Sequence, residues 1–208
     1  MTVSPSTGFS PSLHRDNVPF LLMKSALLSF GLLLLLAGCY PQGSVPQGVQ
    51  VYFSPHGGAT EAVVSAVEHA TNTVLVQAYS FTSAPIARAL VDAGHRSIKV
   101  QVILDKSQRT EKYSEADFLK NEGIPTMIDA EHAIAHNKIM IIDGYLVLTG
   151  SFNFTKAAEE NNAENLLVIN DPELASQYAQ NWQVHAGHSE AYERGFNAEP
   201  KRRHARKE

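Results

Sequence analysis

Two apolar runs joined by an Asp-Gly pair constrain the fold of this chain more than any other feature. Lys138-Ile139-Met140-Ile141-Ile142 has the apolar character of a buried strand, and Tyr145-Leu146-Val147-Leu148-Thr149 forms a second apolar run. Asp143-Gly144 between them is a typical two-residue hairpin turn. The segment therefore predicts two adjacent antiparallel strands.

Strands and helices alternate along the rest of the chain. Strands are predicted at Gln50–Phe53, Thr73–Ala78 and Ile98–Leu104, and Val168–Asn170 ends another. Helices are predicted at Thr60–Thr71, Pro85–Ala93, Ser114–Asn121 and Pro172–His185, the last beginning with an Asp171 N-cap. This alternation predicts an α/β fold, and about 160 residues after the leader are enough for one domain.

The first apolar strand and the residues on either side of it contain a motif of three residues that could act on a phosphate. His136, Lys138 and Asp143 form the pattern H-x-K-x-x-x-x-D. Because side chains two apart on a strand point the same way, His136 and Lys138 are expected to reach one phosphate together. The imidazole is nucleophilic near neutrality, and the ammonium would stabilise charge on the non-bridging oxygens.

Asp143 and three further polar residues are assigned supporting roles. Ser151 and Asn153, in Gly150-Ser151-Phe152-Asn153, could donate hydrogen bonds to the same phosphate oxygens. Asp143 is interpreted as an architectural residue whose carboxylate binds nearby backbone amides. Glu164 is the candidate to orient His136, since a nucleophilic imidazole works best when its second nitrogen donates to a carboxylate.

These motifs together resemble the phospholipase D superfamily, whose signature is the HKD motif followed by glycine-serine-x-asparagine. The resemblance covers Val49 to Gln183 and is closest to the Nuc-type branch of EDTA-resistant bacterial endonucleases, which carry a single motif. Ala78-Tyr79-Ser80-Phe81-Thr82 and Asn162-Ala163-Glu164-Asn165 are also similar to that branch. The resemblance implies an α/β/α sandwich around a mixed β-sheet.

The resemblance also implies a catalytic set, which comprises His136, Lys138, Asp143 and Glu164, with Lys138, Ser151 and Asn153 binding the phosphate. No metal or other cofactor is implied. Because this chain has one motif where the family active site needs two, a homodimer is expected to complete the site. One His136 would form a phosphohistidine while the other acts as general acid and then as base.

The function predicted from this resemblance is a metal-independent phosphodiesterase, namely a non-specific endonuclease on DNA, with RNA left open as a second substrate. Two alternatives are kept. The same chemistry would suit a phospholipase D acting on phospholipid head groups. A different class is a nucleic-acid-binding lipoprotein whose site is catalytically idle.

The chain has nine histidines, which raises the question of a metal site. His132 lies four residues before His136, but that spacing matters only on a helix, so His132 is interpreted as a loop or edge residue. His56, in a glycine-rich turn, could line a phosphate groove. His69, His95, His185 and His188 are interpreted as solvated, and no metal site is predicted.

The N-terminal region predicts export. Lys24 precedes an apolar run from Ala26 to Ala37, which fits the core of a secretory signal. Leu36-Ala37-Gly38-Cys39 resembles the bacterial lipobox, and Cys39 is the only cysteine of the chain. Lipidation of Cys39 and attachment to the outer membrane, facing the periplasm, are therefore expected, with Met23 the suspected translation start.

The predicted organisation is a leader at residues 1–38, a linker at 39–48, a catalytic domain at 49–187 and a basic, flexible tail at 188–208. The net charge of −4 argues against a globally basic nucleic-acid binder and favours a local cationic site. Lys138, Lys156 and Lys106 are the candidates for that site. The run Lys201–Lys207 could add sequence-independent electrostatic binding or be a solvated tail.

Overall fold

A computed structural model of the chain describes residues 48–193, which form a mixed β-sheet flanked by helices. The eight strands are β1 (Gly48–Ser54), β2 (Thr73–Ala78), β3 (Lys99–Asp105), β4 (Thr126–Asp129), β5 (Lys138–Ile142), β6 (Leu146–Gly150), β7 (Glu164–Asn170) and β8 (Glu190–Ala191). They lie in the order β1-β7-β6-β5-β2-β3-β4-β8. Only the β2–β3 and β3–β4 pairs are parallel.

Between residues 48 and 193, five α-helices and one short 3₁₀-helix connect the strands. The α-helices are α1 (Ala59–Glu68), α2 (Ala84–His95), α3 (Ala116–Asn121), α4 (Lys156–Glu160) and α5 (Pro172–His188), and the 3₁₀-helix is Lys106–Arg109. The carboxylate of Asp171 accepts hydrogen bonds from the first amides of α5, so the predicted N-cap is confirmed.

The side chains of β2 alternate between two cores, because successive residues of a strand point to opposite faces of the sheet. Val74 and Val76 pack in the larger core with α1, α2 and α3, whereas Leu75 packs in the second core with α5. Trp182 of α5 is buried there, and its indole N–H donates to the carbonyl of Val76 at 2.9 Å. The predicted α/β/α sandwich around a mixed sheet is confirmed.

The predicted hairpin is present and lies inside the sheet. All five side chains of β5 are buried, and Ile142 pairs with Leu146 of β6. Asp143 and Gly144 both have positive φ, and the amide of Tyr145 donates to the carbonyl of Ile142 across the turn. The turn is therefore one residue longer than predicted, because Tyr145 is left outside the ladder.

Helix α1 ends at Glu68, three residues before the predicted end at Thr71. The reason is a competing hydrogen-bond acceptor. The amides of Thr71, Asn72 and Thr73 donate to the carboxylate of Asp143 rather than to carbonyls of α1. The hairpin turn thus decides where this helix stops.

The sheet continues past residue 187, where the catalytic domain is predicted to end. Glu190–Ala191 form β8 and pair with β4, and the ring of the next residue, Tyr192, is buried. Its hydroxyl donates to the carboxylate of Asp117 on α3 at 3.0 Å. Strand β4 and helix α4 were also not predicted from the sequence, since both are short and neither shows a clear periodicity.

The leader, the Cys39 lipobox, residues 39–47 of the predicted linker and the Lys201–Lys207 run lie outside the described residues, whereas Gly48 begins β1. Between residues 48 and 193, no helix combines the length and the apolar character that a membrane span requires.

Candidate active site

Strand register brings the segments of all the predicted catalytic and phosphate-binding residues except Asp143 to one end of the sheet. The last residue of β2, Ala78, pairs with the first residue of β5, Lys138. On the other side of β5, Thr149 pairs with Ile139, and the next residue, Gly150, pairs with Leu166 of β7. The segments that carry His136, Ser151 and Glu164 therefore emerge from neighbouring strands at the same end.

His136 and Lys138 are held by Tyr79, a residue for which the sequence predicted no role. The half-buried Tyr79 follows β2, and its ring centroid lies 4.5 Å from that of the exposed His136 imidazole. The Nζ of Lys138 lies 5.0 Å from the centroid of the same ring and donates to the carbonyl oxygen of His136 at 2.7 Å. The imidazole of His136 and the ammonium of Lys138 therefore both lie beside the ring of Tyr79.

The side chain of Lys138 is only slightly exposed to solvent. Burial lowers the pKa of its ammonium, and the nearby negative charge of Glu164 partly offsets this effect. A buried cation at the end of a sheet is costly to desolvate, so its position favours an anionic ligand that would share the charge.

Ser151 lies between β6 and β7 at this end. Its hydroxyl oxygen accepts hydrogen bonds from the backbone amide of Asn165 at 3.1 Å and from the side-chain amide of the same residue at 3.3 Å. The hydroxyl hydrogen is thereby left to donate elsewhere. The backbone can come this close to Asn165 only with a glycine at position 150, because a Cβ there would lie 2.2 Å from the carbonyl oxygen of Asn165.

Asn153 enters the site region from the loop after Ser151. Its carboxamide oxygen is buried and has no hydrogen-bond partner, while its backbone carbonyl accepts from the amide of Thr155 at 2.7 Å. A buried polar atom without a partner is uncommon in folded proteins and is costly.

Glu164 begins β7 and pairs with Ser54 at the end of β1. Its carboxylate accepts a hydrogen bond from the side-chain amide of Asn162 at 3.3 Å. Within residues 48–193 it makes no hydrogen bond to His136, so the predicted orienting contact is not present in the single chain. The negative charge of Glu164 instead acts on Lys138 and raises the pKa of its ammonium.

Asp143 lies at the opposite end of β5 from His136. Its carboxylate accepts four hydrogen bonds, from the backbone amides of Thr71, Asn72 and Thr73 and from the hydroxyl of Thr71, at 2.8–2.9 Å. Burial acts to raise the pKa of Asp143, but these hydrogen bonds outweigh it and hold the pKa below its usual value. Asp143 therefore fixes the connection between α1 and β2, and it lies away from the end of β5 that carries His136.

Residues 130–137 connect β4 to β5 and present His136. The carboxylate of Asp105, at the end of β3, accepts a hydrogen bond from the amide of Ala135 at 2.8 Å. The Nζ of Lys106 donates to the carbonyl of His132 at 2.8 Å. Lys106 thus binds the backbone of the segment that presents His136. The third lysine predicted for the cationic site, Lys156, is exposed, and its Nζ lies 3.6 Å from Oε1 of Glu160.

The interpretation of the remaining histidines was partly wrong. His69 and His95 are exposed, as predicted. His132 lies in a loop, as predicted, but His185 and His188 are partly buried. All three converge on the buried carboxylate of Asp129, and we call these four residues the histidine cluster. The histidine cluster could not be predicted from the sequence, because its members are distant in the chain. They lie on β4, on the segment after it and on α5.

The chain was compared with known proteins. Residues 63–185 match the family model described as the PLD-like domain of cardiolipin synthase. A protein named phospholipase D from Rickettsia felis is 42% identical over 134 residues, which are 64% of this chain and 67% of that protein.

Two solved structures are also similar. Nuc from Salmonella typhimurium, a phospholipase D family member, is 41% identical with a TM-score of 0.68, and the match covers 71% of this chain and 99% of Nuc. NucT from Helicobacter pylori is 28% identical with a TM-score of 0.65, and the match covers 71% of this chain and 100% of NucT. The chain therefore belongs to the phospholipase D superfamily, in its Nuc-type branch, and is a hydrolase acting on phosphodiester bonds.

Proposed function

We propose that this protein is a non-specific endonuclease that hydrolyses DNA through a phosphohistidine intermediate. The observation that carries the proposal is the position of Lys138, whose buried ammonium lies beside His136 at the end of the sheet. The similarity to Nuc supports nucleic acid as the substrate. RNA has the same phosphodiester linkage and is a second substrate to be tested.

The proposed reaction has two steps. An imidazole nitrogen of His136 attacks phosphorus, the bond from phosphorus to the leaving oxygen breaks, and a second His136, from another subunit, gives its proton to that oxygen. The second imidazole then takes a proton from water, the water oxygen attacks phosphorus, and the bond from phosphorus to nitrogen breaks. Lys138, Ser151 and Asn153 bind the non-bridging oxygens throughout.

The proposed second histidine comes from a homodimer. Val49, Val51 and Phe53 are exposed on one side of the edge strand β1, whereas Tyr52 packs against the larger core. A row of exposed apolar residues on an unpaired strand edge favours association with another chain. The row ends at Ser54, which pairs with Glu164, so a second copy on this face would lie next to the site.

The first test is cleavage of plasmid DNA in excess EDTA by the purified protein. We expect cleavage by the parent and by His69→Ala, a control in an exposed histidine, and no cleavage by His136→Ala. Cleavage by His136→Ala at the parental rate would contradict the proposed nucleophile. Tight DNA binding without turnover by the parent would favour the catalytically idle alternative.

The dimer is tested with a heterodimer of one wild-type subunit and one His136→Ala subunit, isolated by two different tags. If each reaction needs both histidines, the heterodimer should lose activity by about 100-fold or more. Independent sites would instead retain half of the wild-type activity. Phe53→Asp should separate the subunits, whereas Val184→Asp, at an exposed apolar residue of α5, should not.

The second candidate is a phospholipase D that acts on lipid head groups. The name of the Rickettsia felis relative favours it, and so does the predicted lipid anchor at Cys39, which would hold the enzyme at a membrane. The same chemistry at His136 would serve both substrates. Phosphatidylcholine and cardiolipin liposomes, assayed beside plasmid DNA, separate the two functions, because His136→Ala should abolish whichever activity is real.

The proposed location is the periplasmic side of the outer membrane, reached through the signal and lipobox that end at Cys39. The lipobox sequence supports this location. Membrane fractionation of the native protein and of Cys39→Ser tests it. We expect Cys39→Ser to leave the membrane fraction.

A further inference from the structure

The histidine cluster brings together four potential metal ligands, none of which is assigned to phosphate chemistry. Asp129 is the last residue of β4 and is fully buried, and His132 lies three residues later. His185 and His188 lie in the last turn of α5. One ligand atom from each residue lies within 4.8 Å of the others.

A single oxygen of Asp129 faces all three imidazoles. Its Oδ2 lies 3.0 Å from Nδ1 of His132, 2.8 Å from Nδ1 of His185 and 3.3 Å from Nε2 of His188. A carboxylate oxygen offers two lone pairs, so it cannot accept three N–H groups in good geometry. Nε2 of His188 is accordingly buried without a hydrogen bond.

A shared cation accounts for this arrangement better than hydrogen bonds alone. A buried nitrogen without a partner that is directed at a carboxylate and two other imidazole nitrogens can act as a ligand through its lone pair. We propose that this chain binds one Zn²⁺ ion at a second site, formed by Asp129, His132, His185 and His188.

The donor set suits the proposed ion. Three imidazole nitrogens and one carboxylate oxygen make a four-coordinate set, and Zn²⁺ binds such ligands tetrahedrally at about 2.0–2.2 Å. Ligand atoms arranged tetrahedrally at that distance from an ion are about 3.3 Å apart. Oδ2 of Asp129 already lies 2.8–3.3 Å from the three imidazole nitrogens, so small side-chain rotations would suffice to bind the ion. Nitrogen-rich sites favour Zn²⁺ and neighbouring transition metals over Mg²⁺ and Ca²⁺.

The histidine cluster is mostly buried and is open to solvent on the side of His132, as expected for a structural metal site that an ion can enter. The side chains of His185 and His188 are 14% and 23% exposed, whereas that of His132 is 45% exposed. An ion could therefore enter past His132. Once bound, it would join β4, residues 130–137 and the end of α5, and thereby stabilise the segment that presents His136.

The first test is metal binding by the full-length protein, purified in detergent without a polyhistidine tag and stripped with a chelator. Elemental analysis after Zn²⁺ loading should give one ion per chain. A titration against a coloured chelator should show that His132→Ala and His188→Ala each weaken Zn²⁺ binding at least about 100-fold. His95→Ala, in an exposed histidine at the end of α2, should leave the affinity unchanged.

The second test is thermal unfolding, which does not depend on any activity. Zn²⁺ at 100 times its Kd should raise the Tm of the parent and of His95→Ala by about 5–10 °C. His132→Ala lies in an exposed segment, so it should keep the parental circular dichroism and lose the Tm increase. The proposal is overturned if the stripped parent binds no stoichiometric Zn²⁺, or if His132→Ala and His188→Ala bind it as the parent does.

Discussion

The ammonium of Lys138 donates a hydrogen bond of 2.7 Å to the carbonyl oxygen of His136. This contact fixes the cation beside the backbone of the proposed nucleophile. Only one of the three ammonium hydrogens is used in it, so two can bind the oxygens of a phosphate. The two motif residues are thus joined by a hydrogen bond to the backbone, and in the proposed mechanism they also bind the same phosphate.

We expect Lys138→Met to lower kcat for DNA cleavage by about 10²–10³-fold, since a donor to developing negative charge is lost. Lys138→Arg should not restore activity, because the planar guanidinium differs from the ammonium in shape and hydrogen-bond geometry. The matched control is Lys156→Met, in an exposed lysine. Steady-state cleavage kinetics check this prediction, and an active Lys138→Met enzyme would remove Lys138 from the mechanism.

The pH–rate profile should have an alkaline limb, where activity falls because Lys138 loses its proton. Burial lowers the pKa of this ammonium below 10.5, so the cation is present at lower pH and is lost as the pH rises through the lowered value. Glu164 opposes the shift, so Glu164→Gln should lower the pKa further. The limb of the pH–rate profile should then move to lower pH, and a limb that moves to higher pH would contradict the proposed interaction.

Asp143→Asn should destabilise the fold by about 2–3 kcal/mol at pH 7, because the amide group cannot accept the hydrogen bonds made to both carboxylate oxygens. The folded-state pKa of Asp143 lies below 3.8, so its contribution is complete above that pH and is lost as the pH falls through the folded value. The difference from the parent in urea unfolding should therefore shrink at acid pH. Asp92→Asn, in an exposed residue of α2, is the control.

Gly150→Ala should separate β6 from β7 locally. The new Cβ would lie 2.2 Å from the backbone oxygen of Asn165, which cannot move without the strand. We expect a loss of about 1–3 kcal/mol in the free energy of unfolding and a fall in activity, because Ser151 is displaced with the strand. Gly48→Ala, also in a strand but with no atom within 4 Å of the new Cβ, should change neither quantity.

Local sequence patterns determined most of the fold. The bounds of β2 and β5 agree with the predictions, because continuous apolar runs of that length suit strands inside a sheet. The HKD spacing similarly placed His136 and Lys138 at the start of one strand. These features depend on residues close in the chain, so the sequence alone was sufficient to predict them.

The tertiary structure decided the features that depend on residues distant in the chain. The end of α1 is set by Asp143, more than 70 residues away in sequence, because backbone amides donate to the nearest strong acceptor in space. Tyr79 meets His136 only because β2 pairs with β5. The histidine cluster likewise needs α5 to pack beside β4, and no periodicity in the sequence encodes that packing.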